Sequence, residues 1–256
     1  MALTDNLLAH WKLNEAVNND RLDSVNSYTM LESLDYVEST AGVIGIAARM
    51  IAAQALASFL NHIIVDPATF GPTTAFTAAG WVRITSTYAD SGDYMAVYVI
   101  EDFDNFKFPI SLEVDYITDG PYPIVWSNLS DGTAVSKQHT TKLDKDTWYF
   151  LACRWTGSQL GISVNGGAFQ ETEQVSLWQP GSYGDTRTAS IGARDHLGCA
   201  HDVDSVSYWR NRALSESEIN QLYNGGAGLD YPFSAATVPI ECVLADDLTK
   251  VIVQEA

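Results

Sequence analysis

The chain has 256 residues, 46% hydrophobic and 11% aromatic, enough apolar material for a sizeable core, so it is not a disordered polymer. Its 14 Lys and Arg stand against 32 Asp and Glu, a formal net charge of -18 that repels phosphate backbones and anionic bilayers alike. The expected partners therefore include no nucleic acid and no membrane surface.

The opening residues, MALTDNLLAHWKLNEA, lack the basic and apolar regions of a secretion signal. Leu7 to Leu13 alternates polar and apolar positions, with Trp11 and Leu13 on one face, and reads as a first strand. The polar run from Asn18 to Ser27 reads as a loop. The longest uncharged stretch between Arg49 and Asp66, MIAAQALASFLNHIIV, is too short to cross a bilayer, so no membrane insertion is expected. Ala75 to Ile84 and Tyr94 to Ile100 are rich in β-formers. Ile110 to Ile117 alternates, with Ile110, Leu112, Val114 and Tyr116 on one face and Ser111, Glu113, Asp115 and Ile117 on the other. Thr147 to Trp155 is apolar on both faces until Arg154 and reads as a central strand. Gln159 to Val164 follows, Asn165-Gly166-Gly167 makes a hairpin turn, and Ala168 to Gln174 returns. Ala189 to Gly192 and Val203 to Trp209 are two further strands. Ser215 to Asn224 is the one helix, with a capping box from Ser215 and Glu218, Ile219 and Leu222 on its buried face, and Gly225 and Gly226 to stop it. Many short strands and one helix point to an all-β sandwich. Residues 1–233 are expected to form the domain. Residues 234–256, beyond Pro232, read as an appended tail whose apolar runs could each add a strand. Cys153, Cys199 and Cys242 are too few and too scattered for a disulfide framework, which suits a reducing compartment.

Four of these segments, in order, resemble the laminin G-like, concanavalin A-like jelly-roll domains of bacterial and bacteriophage proteins. They are LLAHWKLNEA with DSVNS; FTAAGWVRI; DTWYFLACRWTGSQLGISVNGG; and VDSVSYWRNRALSESEINQLYNGG. The resemblance spans roughly residues 6–233 and implies two packed antiparallel sheets, a binding or structural role, and often a structural calcium. It places Asp23 and Asp204 close together as calcium ligands, and Asn26 and Asp202 could complete an oxygen shell. Ser205, where such domains often carry an acid, and the alanine-rich stretch from Ala47 to Leu60 depart from the pattern.

Three other chemistries can be weighed. The loop from Asp195 to Asp202 gathers His196, Cys199 and His201, but its spacing matches no standard zinc site. Glucanases of this fold carry three alternating acids on one strand. Here Glu113-Val114-Asp115-Tyr116-Ile117 puts Ile117 in the third place, which removes one catalytic carboxylate and leaves Glu113 and Asp115 as a wet strand face. No glycoside hydrolase or lyase is expected. Glycan binding needs aromatic platforms beside polar groups, and the candidates are Trp126, Trp178, Tyr98, Tyr183 and Tyr94. Trp126 opens the polar run Trp126-Ser127-Asn128-Leu129-Ser130-Asp131-Gly132 and Trp178 precedes Gln179-Pro180-Gly181, which reads as a loop, whereas Trp11, Trp81, Trp148 and Trp155 read as core.

The expected function is thus non-enzymatic: a bacteriophage virion surface component, made in the host cytoplasm, that binds virion proteins and can hold glycans. A calcium-dependent glycan-binding module of a bacterial cell surface or secreted protein is the alternative. The apolar runs from Val43 to Leu60 and Val238 to Val253 are candidate contacts for a homo-oligomer or neighbour, against a plain reading as core strands.

Overall fold

The computed structural model describes residues 1–17, 19–32, 37–51, 60–64, 70, 74–85, 94–102, 107–117, 119–129, 132–176, 187–192 and 200–233. They form the expected two-sheet antiparallel sandwich. The first sheet holds β1 (Leu7–Trp11), β3 (Val37–Ala41), β4 (Ile46–Met50), β6 (Phe76–Ile84), β11 (Trp148–Trp155), β12 (Leu160–Val164), β13 (Gln170–Glu171) and β15 (His201–Arg210). Its spatial order is β13-β12-β11-β6-β15-β4-β3, with β1 also paired to β15. The second sheet holds β2 (Leu31–Glu32), β5 (Leu60–Ile64), β7 (Tyr94–Asp102), β8 (Lys107–Ile117), β9 (Gly120–Asn128), β10 (Ala134–Gln138) and β14 (Arg187–Gly192), in the order β10-β9-β8-β7-β14-β5-β2.

The main core lies between the sheets. Ile110, Leu112 and Val114 of β8 face Leu151 and Cys153 of β11, Val82 of β6 and Tyr208 of β15 in one buried cluster. Alternation in a half-buried strand thus does what period two requires. Strands β6 and β11 are apolar on both faces because the outer face of the first sheet is covered as well. Helix α1 (Glu216–Tyr223) lays Ile219 and Leu222 there, and residues 229–233 add Leu229 and Phe233, over Ala79, Trp81, Phe150 and Trp209. The capping box forms as expected: Ser215 Oγ accepts from the Glu218 amide, and Glu218 accepts from the Ser215 amide. Asn224, with φ 49°, caps the other end ahead of Gly225. Trp209 Nε1 donates to the Leu3 carbonyl at 2.6 Å, which ties the first residues to the same face.

Several elements were not foreseen: β2, β3, β5, β9 and β10. Strand β4 lies in the apolar stretch considered as a contact surface, yet Ala47, Ala48 and Met50 are buried in this chain's own packing. There the core reading holds. The return from Asn165 to Gly167 is shorter than expected, only Gln170–Glu171. Residues 234–256, with the run Val238 to Val253, lie outside the described residues.

Candidate functional site

The outer face of the second sheet, away from the core, carries the concentrated polar chemistry. On β8 the outward residues are Ser111, Glu113 and Asp115, opposite Trp126, Ile124 and Tyr122 of β9. Ser136 and Gln138 of β10 lie beside Trp126 and Ile124. On the other side of β8, Tyr94 of β7 faces Asp115 and Ala96 faces Glu113. Trp126, Tyr122, Asp115 and Ser136 are half-buried, and Gln138 is exposed, so an aromatic and hydroxyl-rich strip reaches solvent. Below it Ser111 and Glu113 are fully buried, and Ser111 donates its hydroxyl hydrogen to Glu113 Oε1. Tyr122 donates its phenol hydrogen to Asp119 Oδ2 at 2.9 Å, which fixes its ring at the rim. The indole Nε1 of Trp126 is buried and finds no acceptor among the described residues.

Trp126, read as the start of a polar run, stands in mid-strand β9, between Ser111 and Ser136. Glu113 is corrected: it is not on a wet face, since it is fully buried. Tyr98 is corrected too. It has no exposed surface and packs 5.8 Å from Trp11 and 5.4 Å from Tyr208, so it offers no face to a sugar. The cause is a register shift between Ala96 and Tyr98, which sets Ala96 opposite Glu113 outside and Tyr98 opposite Leu112 inside. Trp178 and Tyr183 lie outside the described residues.

The four expected calcium ligands do not converge. Asp23 spends both oxygens on backbone amides: Oδ1 accepts from His10 of β1 and from Val25, and Oδ2 from Asn26, each at 2.9 Å. Asn26 donates Nδ2 to the Leu8 carbonyl at 2.6 Å. Asp202, fully buried, is shared by two arginines, with Arg49 Nε 2.8 Å from Oδ1 and Arg83 Nε 2.8 Å from Oδ2. Arg83 also lies 4.7 Å over the Trp148 ring. This pair lines a groove of about 410 Å³ on the first sheet, together with Glu38 and Asp146. Asp204 Oδ2 accepts from the Val43 and Ile44 amides, which leaves Oδ1 as its one buried oxygen without a partner. A single such oxygen falls far short of the six to eight that calcium takes. Among the described residues no group of three or more His, Cys, Asp or Glu is placed to hold a metal ion. Of the zinc candidates, His201 is buried, with Nε2 3.3 Å from the Ala96 carbonyl oxygen, while His196 and Cys199 lie outside the described residues.

A second buried polar group sits under residues 229–233. His10, fully buried, has Nδ1 2.7 Å from Ser207 Oγ and stacks on Tyr231, with ring centroids 5.4 Å apart. Burial pushes its pKa down to about 3. Sequence reasoning missed this group, because its members lie far apart in the chain.

Comparison with known proteins agrees with the fold. The family model described as the concanavalin A-like lectin/glucanases superfamily matches residues 60–220. No curated protein matches the sequence. Trypanosoma rangeli sialidase in complex with sialic acid superposes with a TM-score of 0.64 at 14% identity, over 90% of this chain and 35% of that one. The binding domain of Paraclostridial Mosquitocidal Protein 1 gives 0.63 at 13% identity, over 87% of this chain and 52% of that one. Domain 4 of an extracellular arabinanase from Geobacillus stearothermophilus, in complex with arabinotriose, gives 0.60 at 16% identity, over 84% of this chain and 97% of that one. The chain thus spans about a third of the sialidase and nearly the whole of the arabinanase domain.

Proposed function

Because this chain belongs to the concanavalin A-like lectin/glucanases superfamily, we propose that it is a non-enzymatic carbohydrate-binding domain that holds its glycan on the outer face of the second sheet. The observation that carries the proposal is Trp126, half-buried in mid-sheet between two serines, with Tyr122 and Asp115 on the neighbouring positions of the same face. An indole that stays partly in water offers an apolar plate for the apolar face of a sugar ring. Ser136, Gln138 and Asp115 supply the few polar groups that orient a ligand on such a surface. The similarity to the arabinanase domain, crystallised with arabinotriose and covered almost end to end, supports the same reading.

Hydrolysis is disfavoured on two counts. The alternating segment has two carboxylates, Glu113 and Asp115, where the glucanase motif has three. One of the two, Glu113, is buried and bonded to Ser111, so it cannot reach a glycosidic oxygen above the sheet. The test is a broad glycan array with the purified protein, repeated with Trp126→Ala. Binding that the variant loses, at an unchanged far-ultraviolet spectrum, supports the proposal. Silence across the array, or binding that survives the substitution, overturns it.

A further inference from the structure

We infer that this face reads a stretch of a linear glycan chain laid along β9, with Trp126 and Tyr122 as two separate plates, and that it does not grip a single terminal sugar. The inference rests on the carbohydrate-binding reading above and adds the form of the ligand. It comes from spacing. Val125 is a core residue and neighbours in a strand alternate, so Tyr122, Ile124 and Trp126 share the outer face. A strand rises about 3.4 Å per residue, so the two rings are anchored about 13–14 Å apart along β9. One sugar ring is far too small to cover both. A ligand that lies on both plates is therefore an oligosaccharide.

The groups around the plates fit the same ligand. Ile124, the outward residue between them, is 5% exposed and makes a low apolar floor. Gln138 of β10 is exposed beside it, and Ser136 stands beside Trp126, so an amide and a hydroxyl run parallel to the plates. A chain crossing the strands at Trp126 meets Ser111 on one side and Ser136 on the other, with no second plate. Tyr94 of β7 lies across Asp115 from Tyr122, so it widens that end of the strip and does not close the gap to Trp126. The Tyr122 phenol is held by Asp119 Oδ2 at 2.9 Å, so its plate is in place before a ligand arrives, which lowers the ordering cost of binding. Two plates on one strand act as linked sites: once one ring of the ligand is seated, another is held near the second plate. Tyr122 is then the residue that reads chain length.

The test is isothermal titration of the full chain with linear arabino-, xylo- and cello-oligosaccharides of two to six units. The expected result, in a series that binds, is an affinity about tenfold or more higher for the tetrasaccharide than for the disaccharide, levelling off by the hexasaccharide. Tyr122→Ala is expected to bring the tetrasaccharide down to the disaccharide level. Tyr122→Phe keeps the plate and loses only the bond to Asp119, so it should keep most of the gain. Equal affinity at every length, or a gain that survives Tyr122→Ala, overturns the chain inference and leaves the carbohydrate reading standing. So does silence of all three series beside a glycan array that binds only branched or terminal sugars. An equal loss in Tyr122→Phe overturns the plate, since the phenol oxygen would then carry the recognition. Silence of the series and the array alike overturns the carbohydrate reading itself.

Discussion

Asp204 Oδ2 accepts the backbone N–H of Val43 at 2.7 Å, so a carboxylate on β15 holds the turn between β3 and β4 across 161 positions of sequence. Ile44 N–H adds a second bond at 2.8 Å, and a Cβ on Gly42 would collide with the same carboxylate. Burial raises the Asp204 pKa from 3.8 to about 7, although the two amides pull it down.

That shift predicts a pH dependence with a definite sign. Between about pH 4 and 7 the folded chain keeps a proton on Asp204 that the unfolded chain has released. Stability from this group therefore falls as pH rises through that window, by at most about 1.4 kcal/mol per pH unit, and is flat above it. His10 works the other way. Its folded pKa of about 3 lies below the ordinary 6.5, so its contribution is lost as pH falls from 6.5 towards 3. The two slopes oppose each other. Asp204→Asn, which can still accept both amides, should leave the His10 slope uncovered, with a melting temperature that climbs more steeply from pH 4.5 to 6.5 than in the parent. Parallel curves for the two proteins would show that Asp204 titrates as an ordinary carboxylate.

The pairing of Asp202 with Arg49 and Arg83 predicts an asymmetric response. Asp202 is fully buried, and its removal strands two guanidiniums against the first sheet. Asp202→Ala is expected to cost about 3–5 kcal/mol in urea unfolding. Arg49 keeps 37% of its side chain exposed and leaves Arg83 behind on the same carboxylate, so Arg49→Ala should cost about 1 kcal/mol or less. Equal losses for the two variants would contradict this division.

Much of the fold was legible because its signals are local. The alternation of β8, the hairpin turn at Asn165-Gly166 and the capping box at Ser215 each sit within a few residues. Strand β9 was not legible, since Pro121 and Pro123 argue against a strand in mid-sheet. The structure tolerates them because the ladder with β10 covers only Ile124 to Asn128, and beyond it the prolines serve as acceptors, Pro123 from the His139 amide and Pro121 from the Leu143 amide. At the site, period two placed Glu113 and Asp115 on one face but could not tell that Glu113 is covered. The bulge that turns Tyr98 inward has no glycine or proline to announce it. The shared carboxylate of Asp202 depends on a register between β15, β4 and β6, which joins residues more than a hundred positions apart.

At Gly80 of β6 a side chain of the facing sheet comes close. A Cβ built there would lie 2.9 Å from Val97 Cγ1 and 3.0 Å from Val206 Cγ2, both core side chains with little freedom to move. Gly80→Ala is expected to destabilise the chain by about 1–3 kcal/mol through overpacking. Val97→Ala in the same chain removes one of the two colliding methyl groups, so the double variant should be less destabilised than the two single losses added together. Simple additivity in urea unfolding would place the strain elsewhere.

Trp126→Phe separates the two properties of the indole. The buried Nε1 meets no acceptor among the described residues, and an unsatisfied buried donor costs about 1–3 kcal/mol. Phenylalanine removes that donor and keeps an aromatic plate, although it fills less space. The opposing effects should leave unfolding stability within about 1 kcal/mol of the parent. A buried N–H cannot reach a ligand above the face, so glycan affinity should fall no more than a few-fold in Trp126→Phe, whereas Trp126→Ala abolishes it. Titration of both variants against whichever oligosaccharide binds the parent most tightly checks this. Equal loss in the two would mean that the N–H, turned outward by the ligand, carries the recognition instead of the ring.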